Sequence, residues 1–250
     1  MSILLDDPGQ TAQEIVDFLQ KKYAAQKKLH GVIAVSGGID SALSATLLTK
    51  ALGPKNITAV LLPYADQSMT DSLLLTKHLG LPEKNVVEIH IKSMVDSFTK
   101  SLQIAEKDLM RQGNIKARVR MVCVFDIAKK LDALVCGTEN KSEHYLGYFT
   151  RFGDAASDIE PISTLYKTQV RQLVKFLQLP SVFLEKPPSA GLWTGQTDEE
   201  EMGFSYEDAD TILHEFIDHK KTPDGEVAKK VLAQVAAMKF KREVPYSLTR

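Results

Sequence analysis

The chain predicts an α/β fold, a doubly wound and mostly parallel sheet with helices on both faces. Three observations lead there. Apolar runs of strand length alternate with helically spaced segments through the first half of the 250 residues. Those runs lack polar alternation, as strands buried on both faces of a parallel sheet require. A glycine-rich turn follows the first run and opens directly into a helical pattern.

The elements read in order as follows. Ile15, Phe18, Leu19 and Tyr23 recur at helical spacing after Thr11, a suitable N-cap. Gly31-Val32-Ile33-Ala34-Val35 is the first strand, and a helix is predicted over about 41–51. Strand Ile57 to Leu62, helix 70–79, strand Val86 to Ile91, helical segments to about 131 and strand Ala133 to Cys136 continue the alternation. A helix around Thr168 to Leu177 stops at Pro180, and helical patterns return at 206–218 and 225–239. Between them Glu185 to Gln196 is rich in Pro and Gly and holds the only tryptophan, Trp193, so a mobile flap is expected at about 185–203 on a single domain spanning 1–250.

Composition narrows the partners. Thirty-one basic and 32 acidic residues nearly cancel, and no run of five like charges occurs, which argues against nucleic acid and membrane surfaces. Cys123 and Cys136, in a helical and a strand-like pattern, suggest neither a disulfide nor a zinc knuckle, which fits a reducing compartment. The N-terminus lacks a basic leader and no apolar stretch approaches the roughly 20 residues that cross a bilayer. A cytoplasmic protein is expected.

The turn Ser36-Gly37-Gly38-Ile39-Asp40-Ser41 carries the chemistry. Two glycines admit an anion close to the backbone, and the following helix offers unpaired N–H groups at the positive end of its dipole. Ser36 and Ser41 can add hydroxyl donors. A turn needing glycine for geometry alone is the simpler alternative, but loop amides and a helix start coincide here. No Gly-Lys-Ser/Thr follows, as a Walker loop needs, and no Gly-x-Gly-x-x-Gly fingerprint is present.

The turn resembles the signature of the ATP pyrophosphatases, which hold the β,γ-pyrophosphate of ATP as leaving group. Further segments extend the likeness: Asn114-Ile115-Lys116-Ala117-Arg118-Val119-Arg120-Met121, Gly137-Thr138-Glu139-Asn140-Lys141-Ser142-Glu143, Gly147-Tyr148-Phe149-Thr150-Arg151-Phe152-Gly153-Asp154, Asp158-Ile159-Glu160-Pro161-Ile162, Leu165-Tyr166-Lys167-Thr168-Gln169 and Pro188-Ser189-Ala190-Gly191-Leu192-Trp193-Thr194-Gly195-Gln196-Thr197-Asp198-Glu199. Together they resemble ammonia-dependent NAD synthetase in its short form. The resemblance implies a Rossmann-like fold of the adenine nucleotide alpha hydrolase type. It also implies a ligase that adenylates the nicotinate carboxylate of deamido-NAD with ATP and displaces AMP with ammonia.

The resemblance also assigns residues. Ala34, Val35, Ser36, Gly37, Gly38, Ile39, Asp40 and Ser41, with Thr138, Lys167 and Ser189, fall at ATP-contacting positions. Asp40 and Glu143 fall at positions that hold Mg2+, which prefers oxygen ligands and usually takes one or two carboxylates with phosphate oxygens. Lys167 is expected to approach the phosphates, because a lysine in a helix first turn opposes the dipole and calls for an anionic partner. Arg118, Arg151, Asp158 and Lys241 match deamido-NAD positions, and Asp154 is the candidate that orients ammonium and takes its proton. Gly-Asp is also ordinary turn chemistry, so a structural role for Asp154 stands beside the catalytic one. A homodimer is implied, with the helical region of about 93–130 as its contact surface.

Several features read otherwise. Thr197 with Glu200 suggests a capping box rather than metal binding by the acid run at 198–201. His214 and His219, five apart, would stand roughly 140° apart around an α-helix and could not share an ion. Ala155-Ala156 replaces a family Gly-Gly, so a left-handed backbone there would be strained. Phe240 replaces a family histidine, and Arg151 a common lysine. The turn begins about thirty residues from Met1, leaving no room for an amidase domain, so free ammonia is the expected donor. Adenylation of another acceptor, or a non-catalytic adenine-nucleotide sensor, are the alternative functions.

Overall fold

The computed structural model describes residues 3–189, 191, 193, 195 and 197–248. Its sheet has four parallel strands, β1 Gly31–Ala34, β2 Ile57–Leu61, β3 Val86–Glu88 and β4 Leu134–Cys136, in the order β3-β2-β1-β4. Register is set by pairs such as Ile33↔Ala59, Ile33↔Cys136 and Val60↔Val87. A lone parallel bridge from Cys136 to Ile159 extends the sheet beyond β4. The chain winds outward from β1 to β3 and then returns to β4 on the other side of β1. This reversal opens a crevice at the carboxyl ends of β1 and β4.

Period-two geometry explains the apolar strands. Val32 and Val60 join the core on one face, while Ile33, Ala59 and Leu61 join the core on the other. Each such Val or Ile contributes roughly 1.5–3 kcal/mol by leaving water. Helices α1 Pro8–Ala25, α2 Ile39–Leu52, α3 Thr70–His78, α7 Lys167–Phe176 and α8 Val182–Glu185 cover the Ile33 face. Helices α4 Lys92–Ser101 and α5 Leu109–Lys130 cover the Val32 face. A third core joins α6 Lys141–Leu146, α10 Tyr206–Leu213 and α11 Glu226–Ala237 around Tyr166 and Leu213. Short helices α9 Asp198–Met202 and α12 Lys239–Arg242 complete the set. No helix among the described residues is long and apolar enough to cross a membrane.

Some expectations change. Helix α1 starts at Pro8, with Asp7 accepting from Gln10 N at 2.9 Å, and Thr11 is already inside it, its hydroxyl donating to Asp7 O at 3.0 Å. Proline fits there because the first N–H has no helical partner anyway. Strand β3 ends at Glu88, although Ile89 and Ile91 still donate to Leu61 O and Pro63 O. Thr197 makes no capping bond; its hydroxyl donates to the Glu200 carboxylate at 2.7 Å. Ala155 and Ala156 do not have positive φ; Phe152 takes the left-handed conformation instead, at φ 56. Of the expected flap, Ala190, Leu192, Thr194 and Gln196 lie outside the described residues.

Candidate active site

The turn after β1 is held open from within. Ser41 Oγ donates to Gly38 O at 2.9 Å and lies 3.1 Å from Ser36 Oγ, which accepts from Gly38 N at 3.2 Å. These serines therefore brace the turn before any ligand arrives. Gly37 sits at φ +80, where an added Cβ would stand 3.1 Å from Asp71 Cβ, so it serves the backbone. Gly38 has φ −90, and a Cβ there would meet only Ser36 Oγ at 3.3 Å. Gly38 also N-caps α2, a 14-residue helix, without a side-chain bond, so no cap side chain takes its first N–H groups. Here a methyl would occupy space suited to an anion.

Asp40, in the first turn of α2, meets two elements from far along the chain. Lys167, only 2% exposed, places Nζ 2.5 Å from Asp40 Oδ2 and 2.9 Å from Glu143 Oε1. The Tyr206 ring lies 4.9 Å from the same nitrogen. The anion that Lys167 required is thus supplied within the protein by two carboxylates. Asn140, fully buried, donates from Nδ2 to Asp40 Oδ1 at 2.8 Å and accepts from Glu143 N at 3.0 Å. Glu143 closes the box by accepting from Asn140 N. One asparagine therefore starts α6 and aligns both acids, a role missed in the sequence although Asn-x-x-Glu is a capping-box spacing.

The balance of charge matters. Burial, and next the Asp40 charge, push Glu143 up to about 8 against the pull of Lys167. Lys167 moves upward too: burial opposes its charge, but Asp40 and Glu143 outweigh that. With Glu143 protonated the trio is neutral; a divalent cation such as Mg2+ would favour its ionised form, leaving a net negative charge and hard oxygen donors that fit such an ion. No trio of His, Cys, Asp or Glu among the described residues is arranged to hold a metal alone.

Around this triad lie buried acids that the sequence reading passed over. Asp210, on α10, accepts from Thr168 N and Oγ1 at 2.7 Å each and so caps α7 from outside. It also takes the Ser142 hydroxyl, which accepts from Lys167 N at 2.9 Å. Asp198, read only as part of a helix start, is buried and accepts from Tyr206 Oη at 3.1 Å.

A cavity of about 700 Å³ opens beside the turn. It is lined by Ala34, Val35, Ser36, Thr138 and Ser189 on the expected ATP side, and by Arg118, Arg151, Asp154 and Lys241 on the expected dinucleotide side. Gly37, Gly38, Ile39, Ser41 and the Asp40–Glu143–Lys167 triad are not in its lining; the turn and the Gly137 to Asn140 segment connect them to it. Arg120, not assigned beforehand, also lines it, with Nε donating to Leu62 O at 3.1 Å and Nη2 to Gln67 Oε1 at 2.9 Å. A Cβ at Gly137 would lie 1.9 Å from Glu160 Oε1, so a larger residue there would displace a carboxylate that Ser157 Oγ and Glu139 N hold in place. That Glu160 carboxyl is pushed up to about 7, mainly by burial.

The remaining assignments divide. Asp158 is exposed and lies outside the cavity lining, and its Oδ2 accepts from Val135 N at 2.8 Å, tying the chain to β4. Lys241 reaches the cavity, but its ammonium donates to Gly147 O at 2.6 Å and Phe149 O at 2.8 Å, and burial lowers its pKa. Arg118 donates to Arg151 O at 3.3 Å, and the Arg151 guanidinium lies 5.1 Å from the Phe240 ring, so Phe240 carries the arginine in place of an imidazole. Asp154 is both turn and wall: Oδ1 accepts from Thr150 N at 3.0 Å while the residue keeps surface toward the cavity. Protein crowding around that surface raises its carboxyl pKa.

The NAD synthase family model matches residues 11–245. An NH(3)-dependent NAD(+) synthetase of Fusobacterium nucleatum subsp. nucleatum is 39% identical over 243 residues, covering 93% of this chain and 92% of the relative. A solved NMN synthetase from Francisella tularensis is 36% identical with a TM-score of 0.85, covering 98% of both chains. The NH3-dependent NAD synthetase of Campylobacter jejuni, solved with nitrate, is 32% identical with a TM-score of 0.81, covering 97% of this chain and all of the other.

Proposed function

The chain belongs to the NAD synthase family, and we propose that the residues around its glycine turn perform that family's reaction as follows. It is an ATP-consuming ligase that amidates deamido-NAD to NAD with ammonia. ATP lies with its β- and γ-phosphates against the Ser36–Ser41 turn and the open start of α2. The adenosine side runs along Ala34, Val35, Thr138 and Ser189. Asp40 and Glu143 hold Mg2+, which when bound neutralises phosphate charge and favours departure of pyrophosphate. Lys167 fixes the two carboxylates and supplies positive charge next to the phosphates. The single observation that supports this most is its bond to both acids at the mouth of a phosphate-type turn.

Two steps follow. The nicotinate carboxylate oxygen attacks the α-phosphorus, the bond to the bridging oxygen breaks, and pyrophosphate leaves with the electron pair. Ammonia then attacks the activated carbonyl carbon, the acyl–oxygen bond breaks, and AMP departs. Asp154 receives the proton that ammonia or ammonium sheds, and its raised pKa suits a group that takes and returns protons. Arg118 and Arg151 hold the dinucleotide pyrophosphate by parallel N–H bonds, with Lys241 shaping the loop beside them. Asp158, exposed and anchored to β4 through Oδ2, belongs to the dinucleotide side as well.

The remaining features form part of the same proposal: one domain, closure of the segment at about 185–203 over the intermediate, a cytoplasmic enzyme, and a homodimer. Exposed Phe98 on α4 and Val122 on α5 favour a second copy as a cover for these helices. AMP and pyrophosphate release measured with ATP and ammonium tests the assignment. Release must depend on deamido-NAD and vanish in Asp40→Ala and Glu143→Ala proteins, and release that persists without an acceptor overturns it. Glutamine alone must not support turnover. The likeness to NMN synthetase favours nicotinate mononucleotide as a second acceptor, and kcat/KM for the two acceptors decides which is preferred.

A further inference from the structure

Beyond α10 the helix widens, and His214–Asp218 forms a π-helical turn. Five-residue repeats replace α-helical ones there, as His219 N donating to His214 O at 3.3 Å records. The two histidines that α-helical spacing would hold apart are therefore neighbours. Their Nε2 atoms are 3.1 Å apart, with ring centroids 4.6 Å apart and planes at 82°. This corrects the expectation that they stand apart.

We propose that His214 and His219 form a two-imidazole site for a divalent transition-metal ion of the zinc class, with water completing its coordination. Two zinc–nitrogen bonds of about 2.0–2.1 Å in a tetrahedral arrangement place the nitrogens roughly 3.3–3.4 Å apart, so the rings need part by only a few tenths of an ångström. His214 Nδ1 lies 3.0 Å from Asp218 Oδ2, which makes Nδ1 the protonated nitrogen and leaves Nε2 with its lone pair outward. The proton now between the rings belongs to His219 Nε2; moving it to Nδ1 gives up that hydrogen bond and frees the second lone pair, which coordination to the ion then uses. Imidazoles favour zinc, nickel or copper over magnesium, so this site is chemically separate from the carboxylates at Asp40 and Glu143. The His214 side chain keeps 18% exposure, enough for an ion to enter from solvent.

The site is also wired to the catalytic helices. Asp218 accepts from Lys141 Nζ at 2.6 Å, the first residue of α6, and from Tyr166 Oη at 3.0 Å, the residue capping α7. Glu143 and Lys167 lie on those two helices. An ion on the histidine pair braces the wall that presents them.

The test is calorimetric titration of the full chain with zinc chloride in excess magnesium at neutral pH. One zinc ion per chain at micromolar Kd is expected, together with a higher Tm. His214→Gln and His219→Gln should each weaken binding at least tenfold, and Asp218→Asn roughly tenfold, the usual effect of losing the carboxylate behind a ligating histidine. An Asp40→Ala/Glu143→Ala chain should titrate like the wild type, so this outcome is independent of the proposed catalytic roles. His219→Gln should keep its circular dichroism and its zinc-free rate. Unchanged binding in His219→Gln, or none in the wild type, overturns the proposal.

Discussion

Replacing Glu143 by glutamine should stabilise the ligand-free protein at alkaline pH while abolishing activity. In the unfolded chain this carboxyl titrates at its ordinary 4.5, and in the fold at about 8. Between those values the folded state holds a proton that the unfolded state has released, so stability falls as pH rises through the window and levels off above about 8. At about 1.4 kcal/mol per pH unit, that span costs roughly 5 kcal/mol. Glutamine removes the charge and keeps one acceptor for Lys167, but it loses part of the bonds to Lys167 and Asn140, about 2–3 kcal/mol together. The net gain is about 2 kcal/mol above pH 8, a rise in Tm of roughly 4–8 °C for a chain of this size. Thermal melts from pH 5 to 9 in EDTA should show Glu143→Gln below wild type near pH 5, the two crossing at about pH 6, and the variant above wild type toward pH 8.5. A variant that melts at or below wild type at pH 8.5 would refute the reasoning, since Glu143 would then be no burden on the fold. Synthesis assays on the same protein should show no NAD, because the ionised carboxylate is the form that a cation needs.

Lys167→Met should behave oppositely: two buried carboxylates lose their cation, lowering stability by about 3–5 kcal/mol and kcat by roughly 10²–10³, read by urea melts and AMP release. Gly37→Ala should destabilise by about 1–2 kcal/mol through its left-handed φ and the contact with Asp71, whereas Gly38→Ala should leave the melt almost unchanged and raise KM for ATP; equal effects in melt and KM would contradict the division of labour. Asp154→Asn should raise KM for ammonium and slow amide formation roughly 10²-fold while pyrophosphate release in the absence of ammonia continues, and a variant impaired only in Tm would leave Asp154 as a turn residue.

The glycine turn was legible because its meaning is local. A strand, two glycines and a helix start are contiguous, and Gly37 needs its positive φ whatever the rest of the chain does. Strand burial on both faces was legible for the same reason, with Val32 and Ile33 each apolar and pointing opposite ways. Contacts between distant segments were not. Lys167 and Asp40 lie 127 positions apart, and nothing in either neighbourhood states that the lysine's anion is a carboxylate rather than a phosphate. Nor was the bond from Val135 N to the Asp158 carboxylate, 23 positions along the chain, visible in either neighbourhood. His214 and His219 show that spacing predicts proximity only for an assumed helix type, and a single π-helical turn reverses the conclusion.

Topology accounts for which residues meet. Asp40 follows β1, and Asn140 and Glu143 follow β4, the two strands that flank the reversal in strand order. Acids placed after β2 or β3 would emerge farther along the sheet edge and could not share one lysine with a residue after β4. The third member comes from a different layer. Helix α7 packs on the same face as α2, with Val170, Leu173 and Val174 in one core with Leu43 and Leu47, and this brings its first residue to the first turn of α2. Two helix starts then face each other, each with the positive end of its dipole toward the same space. Such an arrangement repels a lysine unless anions stand between, and Asp40 and Glu143 supply them. The same positive field that partly offsets the burial of these carboxylates also favours the phosphates of a substrate, so the local charge balance and the binding of ATP have one physical origin.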